Sequence, residues 1–268
     1  MQKIKDCGKI KGMKKFCVVI LAAGKGTRMK SSLQKVLHNL FGKSMISHIV
    51  EVVHKLKPEK VLMVVGHQKE QVKRELAGNS VGFVTQRVPL GTGHAVRQTE
   101  KSLQGYSGDV LILCGDTPLL KAETLRKLLE YHQKKQSAGT ILTAFLKDPS
   151  GYGRIKRNGT GEVDAIVEEG DATPEERRIK EINSGVYLFS APKLFQSLSR
   201  VKPDNVKGEY YLTDVIHILR SRGEVISACP TDQPEEVLGV NTTEDLKMAQ
   251  RVMGLRTPIK TRSKKTDG

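Results

Sequence analysis

No apolar run in the chain approaches the roughly 18 residues that a membrane-spanning helix needs, which excludes an integral membrane protein of the helical kind. Cysteine is scarce: Cys7, Cys17, Cys114 and Cys229 are the only four, no two of them form a CxxC pair, and no zinc-ligand spacing links them to the seven histidines. A disulfide scaffold and a structural zinc site are excluded on the same ground. There is no internal repeat, and the hexapeptide periodicity of a left-handed β-helix is absent. No Pro/Ser-rich linker divides the chain into independent domains.

What remains is 268 residues (29.7 kDa) with 38% hydrophobic and 28% charged residues, a soluble globular composition with enough length for one large domain or two modest ones. Acidic residues are outnumbered, 29 against 45 Lys+Arg, for a net charge of +16. Residues 1–15 carry a net +5 and residues 254–268 a net +4, which leaves +7 between them. We read 1–15 and 254–268 as solvated, disordered basic ends around a domain at 16–253. Such ends can bind nucleic acid non-specifically, but no specific nucleic-acid partner is expected, and the residual charge suits a polyanionic small substrate. The lysine-rich start followed by FCVVILAA (Phe16 to Ala23) imitates a secretory signal. It runs into GKGTR rather than a cleavage site and reads better as a short buried parallel strand. A cytoplasmic location with no membrane contact is therefore expected.

Short apolar runs alternate with amphipathic stretches up to about Phe145. Strands are expected at 16–22, 60–65, 81–85 and 109–114, with helices near 44–56, 68–77, 92–103 and 122–135. In the first helix Met45, Ile49, Val53 and Leu56 recur on one face. The alternation predicts βαβ units, hence an α/β fold with a mainly parallel sheet whose strand C-termini share a ligand-binding edge. Beyond Phe145 the texture changes to short strands at 153–157, 162–167 and 183–189 and an acidic helix-prone stretch at 171–178. A helix near 211–221, a strand at 224–229 and a helix near 243–253 complete a second lobe on the same core.

The first strand runs into Gly24-Lys25-Gly26-Thr27-Arg28. Two glycines after a parallel strand let backbone N–H groups converge on an anion, with Lys and Arg adding charge. Met29 stands where a dinucleotide fingerprint needs its third glycine, and Leu37 stands where a Walker A loop ending in Gly42-Lys43-Ser44 needs its first. Cys114-Gly115-Asp116 closes the strand DVLILC, and an aspartate at that edge can hold Mg²⁺ or merely cap the turn before Thr117-Pro118.

These stretches form an ordered set: LAAGKGTRM from Leu21, KVLH from Lys35, LGTGHA from Leu90, GYGR from Gly151, EINSG from Glu181, GEYYLTD from Gly208 and GVN ending at Asn241. The set resembles sugar-phosphate nucleotidyltransferases, in particular the pyrophosphorylase half of the bacterial bifunctional N-acetylglucosamine-1-phosphate uridyltransferase/glucosamine-1-phosphate acetyltransferases, over about residues 16–253. The resemblance implies a Rossmann-like fold with a smaller sugar-binding lobe. It also implies Mg²⁺-dependent synthesis of UDP-N-acetylglucosamine, a cell-wall precursor, and pyrophosphate from UTP and N-acetylglucosamine 1-phosphate.

Carried over residue by residue, the resemblance puts the nucleotide at Leu21, Ala22, Ala23 and Gly24, at Cys114, Gly115 and Asp116, and at Gln86, Gly91 and Thr92, which would read uracil. A glutamine amide offers both donor and acceptor to the imide edge of that base. Arg28 and Lys35 become the catalytic cations on the triphosphate, where fixed charge lowers the cost of attack at the α-phosphorus. Asp116 and Asn241 become the metal ligands, and Gly153, Glu168 and Asn183 the sugar-side positions. Glu168 could equally be a solvated carboxylate beside Glu169, and Tyr210, Tyr211 and Asp214 could either shape the sugar-side lobe or serve core or capping roles. No general base is assigned, because a sugar phosphate with a second pKa of about 6 is already mostly ionised near neutrality.

Three positions depart from the family pattern: Gln34 where proline is usual, Cys114 where tyrosine is usual, and Arg87-Val88-Pro89 before LGTGHA. These leave open a relative that uses another sugar 1-phosphate or another base. A weakly catalytic nucleic-acid-binding relative is the reading from a different class. No acetyltransferase activity is expected, since residues 254–268 are too short and too polar to build a β-helix. The sequence does not speak to oligomeric state.

Overall fold

The computed structural model describes residues 14–256 apart from 25 and 30, so most of both expected basic ends lies outside the described residues. Strand β1 (Phe16–Ala22) leads through a short 3-10 turn at Thr27–Met29 and another at Lys35–Leu37 to the hairpin β2 (Asn39–Leu40) and β3 (Lys43–Ser44). Then come α1 (Met45–His54), β4 (Lys60–Val65), α2 (Lys69–Glu75), β5 (Gly82–Thr85), α3 (Thr92–Arg97) and β6 (Asp109–Cys114). Next are α4 (Ala122–Lys135), β7 (Gly139–Phe145), β8 (Arg154–Arg157), β9 (Val163–Val167), α5 (Pro174–Arg177) and β10 (Glu181–Ser190). Helices α6 (Ala191–Leu198) and α7 (Asp214–Ser221), strand β11 (Ile226–Pro230) and helix α8 (Thr243–Arg256) complete the chain.

The main sheet has the order β11-β7-β10-β6-β1-β4-β5, with the β8–β9 hairpin hanging from β10. Neighbours are parallel except β10, which runs antiparallel to both β6 and β7. The sheet is therefore mixed and mainly parallel, as expected. FCVVILA is the central strand β1, buried between β4 and β6, and among the described residues no helix is long and apolar enough to cross a membrane.

Strict alternation along β1 feeds two cores. Val18 and Ile20 meet Ile46, Ile49 and Val53 of α1 and Leu125 and Leu128 of α4 on one face. Cys17 and Val19 meet Ala95 and Val96 of α3, Leu194 of α6 and Val215 of α7 on the other. Strand β7 and helix α6 were not expected, and helix α8 continues to Arg256, three residues past the expected 253. Lys14 and Lys15, counted with the N-terminal extension, pair with Asp109 and Glu59 at 2.8 Å each. The parallel strands end together at one edge: Ala22, Val65, Thr85 and Cys114 all stop there, and the loops that follow carry the candidate chemistry.

Candidate active site

A cleft of about 270 Å³ opens at this edge. Leu21, Ala22, Ala23 and Gly24 line it from β1, Lys35 from the 3-10 turn, Gln86 from the end of β5, Gly91 and Thr92 from the start of α3, and Cys114 and Asp116 from the end of β6. Gly115 sits between the last two and donates its N–H to the Leu21 carbonyl at 2.8 Å, which ties the two strand ends together. The ten expected nucleotide-side residues that line the cleft thus come from five separate stretches of chain.

Two glycines here answer to geometry. Gly26 has φ +62°, and a Cβ on it would lie 2.6 Å from the Cβ of Lys35. Gly91 has φ +108°, and a Cβ there would lie 2.6 Å from the Tyr210 carbonyl; any side chain would push these loops apart. The LGTGHA and GEYYLTD segments dock through the main chain, with Tyr210 N–H on the Leu90 carbonyl and Gly93 N–H on the Tyr210 carbonyl, both at 2.8 Å. The Thr92 hydroxyl accepts from the Leu212 N–H at 3.0 Å, so its oxygen is partly committed to this joint.

The charged centre lies at the cleft mouth. Lys35 Nζ contacts Asp116 Oδ2 and donates to Asn241 Oδ1 at 3.1 Å, while Arg28 Nη2 donates to the same Asn241 oxygen at 2.8 Å. Asn241 is brought here because the Val240 N–H donates to the Asp116 carbonyl at 2.8 Å. The next turn holds it: Asp245 Oδ2 accepts from both the Asn241 and Thr242 N–H groups at 2.9 Å, and the Asp245 N–H donates to Thr242 Oγ1 at 3.1 Å. This reciprocal pattern has the logic of a capping box at the start of α8.

One carboxylate and one amide oxygen converge on a single cationic group, and both are hard oxygen donors of the kind Mg²⁺ takes with phosphates and water. This donor set fits such an ion, at the place where Lys35 and Arg28 now sit. Among the described residues no cluster of three His, Cys, Asp or Glu side chains could hold a metal by protein ligands alone.

The expected sugar-side residues form a second group around β8, β9 and β10. Asn183 is buried and largely engaged: its Nδ2 donates to the Tyr187 hydroxyl at 2.7 Å and its Oδ1 accepts from the Gly185 N–H at 3.1 Å. Its own N–H goes to the Gly153 carbonyl at 2.8 Å. Glu168 accepts from Thr213 Oγ1 at 3.3 Å, and burial pushes its carboxyl above the usual range against the pull of Lys207 and Thr213. It is not a solvated twin of Glu169, which pairs at 2.7 Å with the fully buried Arg154 of GYGR. Cys114 joins the two groups: its Sγ faces the Gly185 carbonyl at 3.6 Å, and burial, helped by the charge of Asp116, pushes its thiol up to about 12. Tyr152 meets the backbone of Gly239 and links the sugar-side loop to GVN.

Gln34, visible in the sequence only as a departure, is buried under the cleft. Its Nε2 donates to the Ala22 carbonyl at 3.0 Å and the Gly24 carbonyl at 3.5 Å, and its Oε1 accepts from the Val36 N–H at 3.0 Å. Val36, Pro89, Ala95 and Glu209 also line the cleft; they lie in or beside the sequence motifs but were given no role of their own.

The model of the nucleotidyl transferase family matches residues 17–235. The chain belongs to the nucleotidyl transferase family. It is 50% identical over 238 residues to the bifunctional protein GlmU of Halalkalibacterium halodurans, covering 89% of this chain and 52% of that one. The chain thus spans about half the length of the curated relatives it matches. Among solved structures it superposes on a UDP-glucose pyrophosphorylase complexed with UDP-glucose (TM-score 0.70, 20% identity, 91% of this chain and 100% of that one). It also superposes on a Bacillus anthracis protein described as a glucose-1-phosphate thymidylyltransferase, in complex with a sucrose (TM-score 0.72, 20% identity, 88% of this chain and 94% of that one). At that identity the two structures speak for the fold. This nucleotidyl transferase carries its charged centre at the strand edge where open α/β sheets receive ligands.

Proposed function

We propose that the chain transfers a uridylyl group from UTP to N-acetylglucosamine 1-phosphate, giving UDP-N-acetylglucosamine and pyrophosphate. The observation that carries this reading is the meeting of Arg28, Lys35, Asp116 and Asn241 at the mouth of a cleft built from strand C-termini. The half-length match to GlmU supports the choice of base and sugar.

In this reading a phosphate oxygen of the sugar phosphate attacks the α-phosphorus in line, that P–O bond forms, and the bond to the β-phosphate oxygen breaks. The base and ribose lie against Leu21 to Gly24, Gln86 and Gly91. Lys35 and Arg28 leave Asp116 and Asn241 and carry their charge to the phosphates, where it offsets the negative charge that builds on the transferring group and on departing pyrophosphate. Asp116 and Asn241 would hold Mg²⁺, which when bound neutralises phosphate charge and orients it. No side chain removes a proton, because the sugar phosphate enters ionised. The sugar sits on the Gly153, Glu168 and Asn183 side, next to Cys114, and the nucleophile is thereby held against the α-phosphorus.

Asp116→Ala and Asn241→Ala should each lower pyrophosphate release by at least about a hundredfold, with unchanged circular dichroism. A rate near that of the unaltered protein in Asp116→Ala would overturn the mechanism.

A further inference from the structure

We propose that His94 takes up the second N–H of Gln86, leaves only the amide oxygen for the cleft, and so makes the cleft select a base with an N–H at the centre of its pairing edge, uracil over cytosine. This rests on the uridylyl-transfer reading above, but it assigns a positioning role to a residue outside the cleft lining.

Gln86 directly follows β5 and is only 5% exposed. Its side-chain amide has two N–H donors and one acceptor oxygen. One N–H goes to the Gly91 carbonyl at 3.1 Å. A carbonyl can only accept, so this contact sets which end of the amide is nitrogen. The same nitrogen lies 2.9 Å from His94 Nδ1. That approach is a hydrogen bond only if Nδ1 carries its lone pair, since a proton there would oppose two donors. Burial, followed by the nearby charge of Arg97, lowers the pKa of His94 and favours the neutral ring.

A neutral imidazole has one accepting nitrogen, and a second amide competes for it. Gln98 Nε2 lies 3.1 Å from His94 Nε2 and 3.1 Å from the His94 carbonyl. Gln86 wins this competition because it is buried and anchored at Gly91. Gln98 is half-buried, and its own backbone N–H already contacts the His94 carbonyl at 3.3 Å. Turning its amide away gives up the donor contact to the His94 carbonyl, which keeps the Gln98 backbone N–H, and offers oxygen to Nε2–H at the half-buried rather than the buried of the two amides. The proton therefore sits on Nε2, and both N–H groups of Gln86 are consumed inside the protein.

Only Oε1 of Gln86 is left for the cleft, and among the described residues it accepts no hydrogen bond. On this proposal Gln86 shows a base an acceptor, in place of the donor and acceptor expected from its residue type alone. Uracil presents N3–H between two carbonyls and pairs with that oxygen. Cytosine presents a lone pair at N3 and meets it with like charge, and a site with a fixed polar group rejects the mismatched partner strongly.

The test compares kcat/KM for UTP and CTP, each with N-acetylglucosamine 1-phosphate, in the unaltered protein, His94→Leu and His94→Asn. The unaltered protein should prefer UTP. His94→Leu should shrink the UTP:CTP ratio at least tenfold, chiefly through KM for UTP. His94→Asn, whose Oδ1 replaces Nδ1 as acceptor, should stay within threefold of the unaltered ratio. An unchanged ratio in a folded His94→Leu protein, or equal losses in both variants, overturns the inference while leaving uridylyl transfer intact. No turnover with any nucleotide in the unaltered protein overturns the functional reading itself. A two-bond ¹H–¹⁵N correlation of the His94 ring gives an answer that needs no variant: Nδ1 should be unprotonated, and a proton on Nδ1 contradicts the proposal.

Discussion

At the scale of single residues, Gln34 is the clearest case of a role that burial creates. Its three hydrogen bonds join the loop at Ala22–Gly24 to the turn that carries Lys35. Replacing it with leucine keeps the bulk but leaves two carbonyls and one N–H without partners, at a cost of about 1–3 kcal/mol. Gln34→Leu should therefore lower stability by that amount in denaturant titrations and raise KM for UTP several-fold, with a smaller change in kcat. The sequence showed only that a polar residue stands where proline is usual; that it is buried is decided by what folds over it. Asp214 is a second case, which the sequence leaves open between shaping the sugar-side lobe and a core or capping role. Burial, with help from Asp171 and against His217, raises its carboxyl pKa to about 6. The fold thus disfavours the ionised form, a penalty present in full above pH 6 and lost as pH falls toward the ordinary aspartate value of about 3.9. Asp214→Asn should raise Tm at pH 7.5, and thermal melts should show that gain shrinking between pH 6 and pH 4.

At the scale of elements, legibility followed the contrast between apolar runs and their flanks. β1, β4, β6 and α4 begin and end where expected because each apolar or amphipathic run is bounded sharply by Lys, Gly or Asp. β7 was missed because its run includes two buried threonines, Thr140 and Thr143, whose partners lie on other elements. His132 takes the first at 2.8 Å and Glu181 the second at 2.8 Å. α6 was missed because it is two turns long and follows β10 with no loop between them. The start of α8 shows how an element places a functional atom, since Asp245 grips the N–H of Asn241 from one turn beyond. Asp245→Ala should cost about 1 kcal/mol of stability, as loss of a helix cap does. It should also lower turnover about tenfold by loosening Asn241, with partial relief at raised Mg²⁺. A drop in stability with unaltered kcat and unaltered Mg²⁺ dependence would separate the cap from the site.

At the scale of the whole molecule, the parallel strand order puts Leu21–Gly24, Gln86 and Cys114–Asp116 on one edge, and the antiparallel insertion of β10 brings the β8–β9 lobe beside them. That arrangement was legible as a class, because alternating strands and helices leave few topologies. The residues expected on the nucleotide side came from the family resemblance rather than from local pattern, and the fold brings ten of them to one cleft. The sugar side was less legible: Asn183 and Glu168 already hold Tyr187, Gly185 and Thr213, which only the folded lobe reveals. What decides the proposed function is whether this cleft pairs one nucleotide with one sugar phosphate. The most direct measurement is pyrophosphate release by the purified chain with Mg²⁺, across four nucleoside triphosphates and a panel of sugar 1-phosphates, with the product identified by mass. UTP with N-acetylglucosamine 1-phosphate should give the highest kcat/KM and equal amounts of UDP-N-acetylglucosamine and pyrophosphate. Faster turnover of another pair, or no pyrophosphate from this one, would contradict the proposed function.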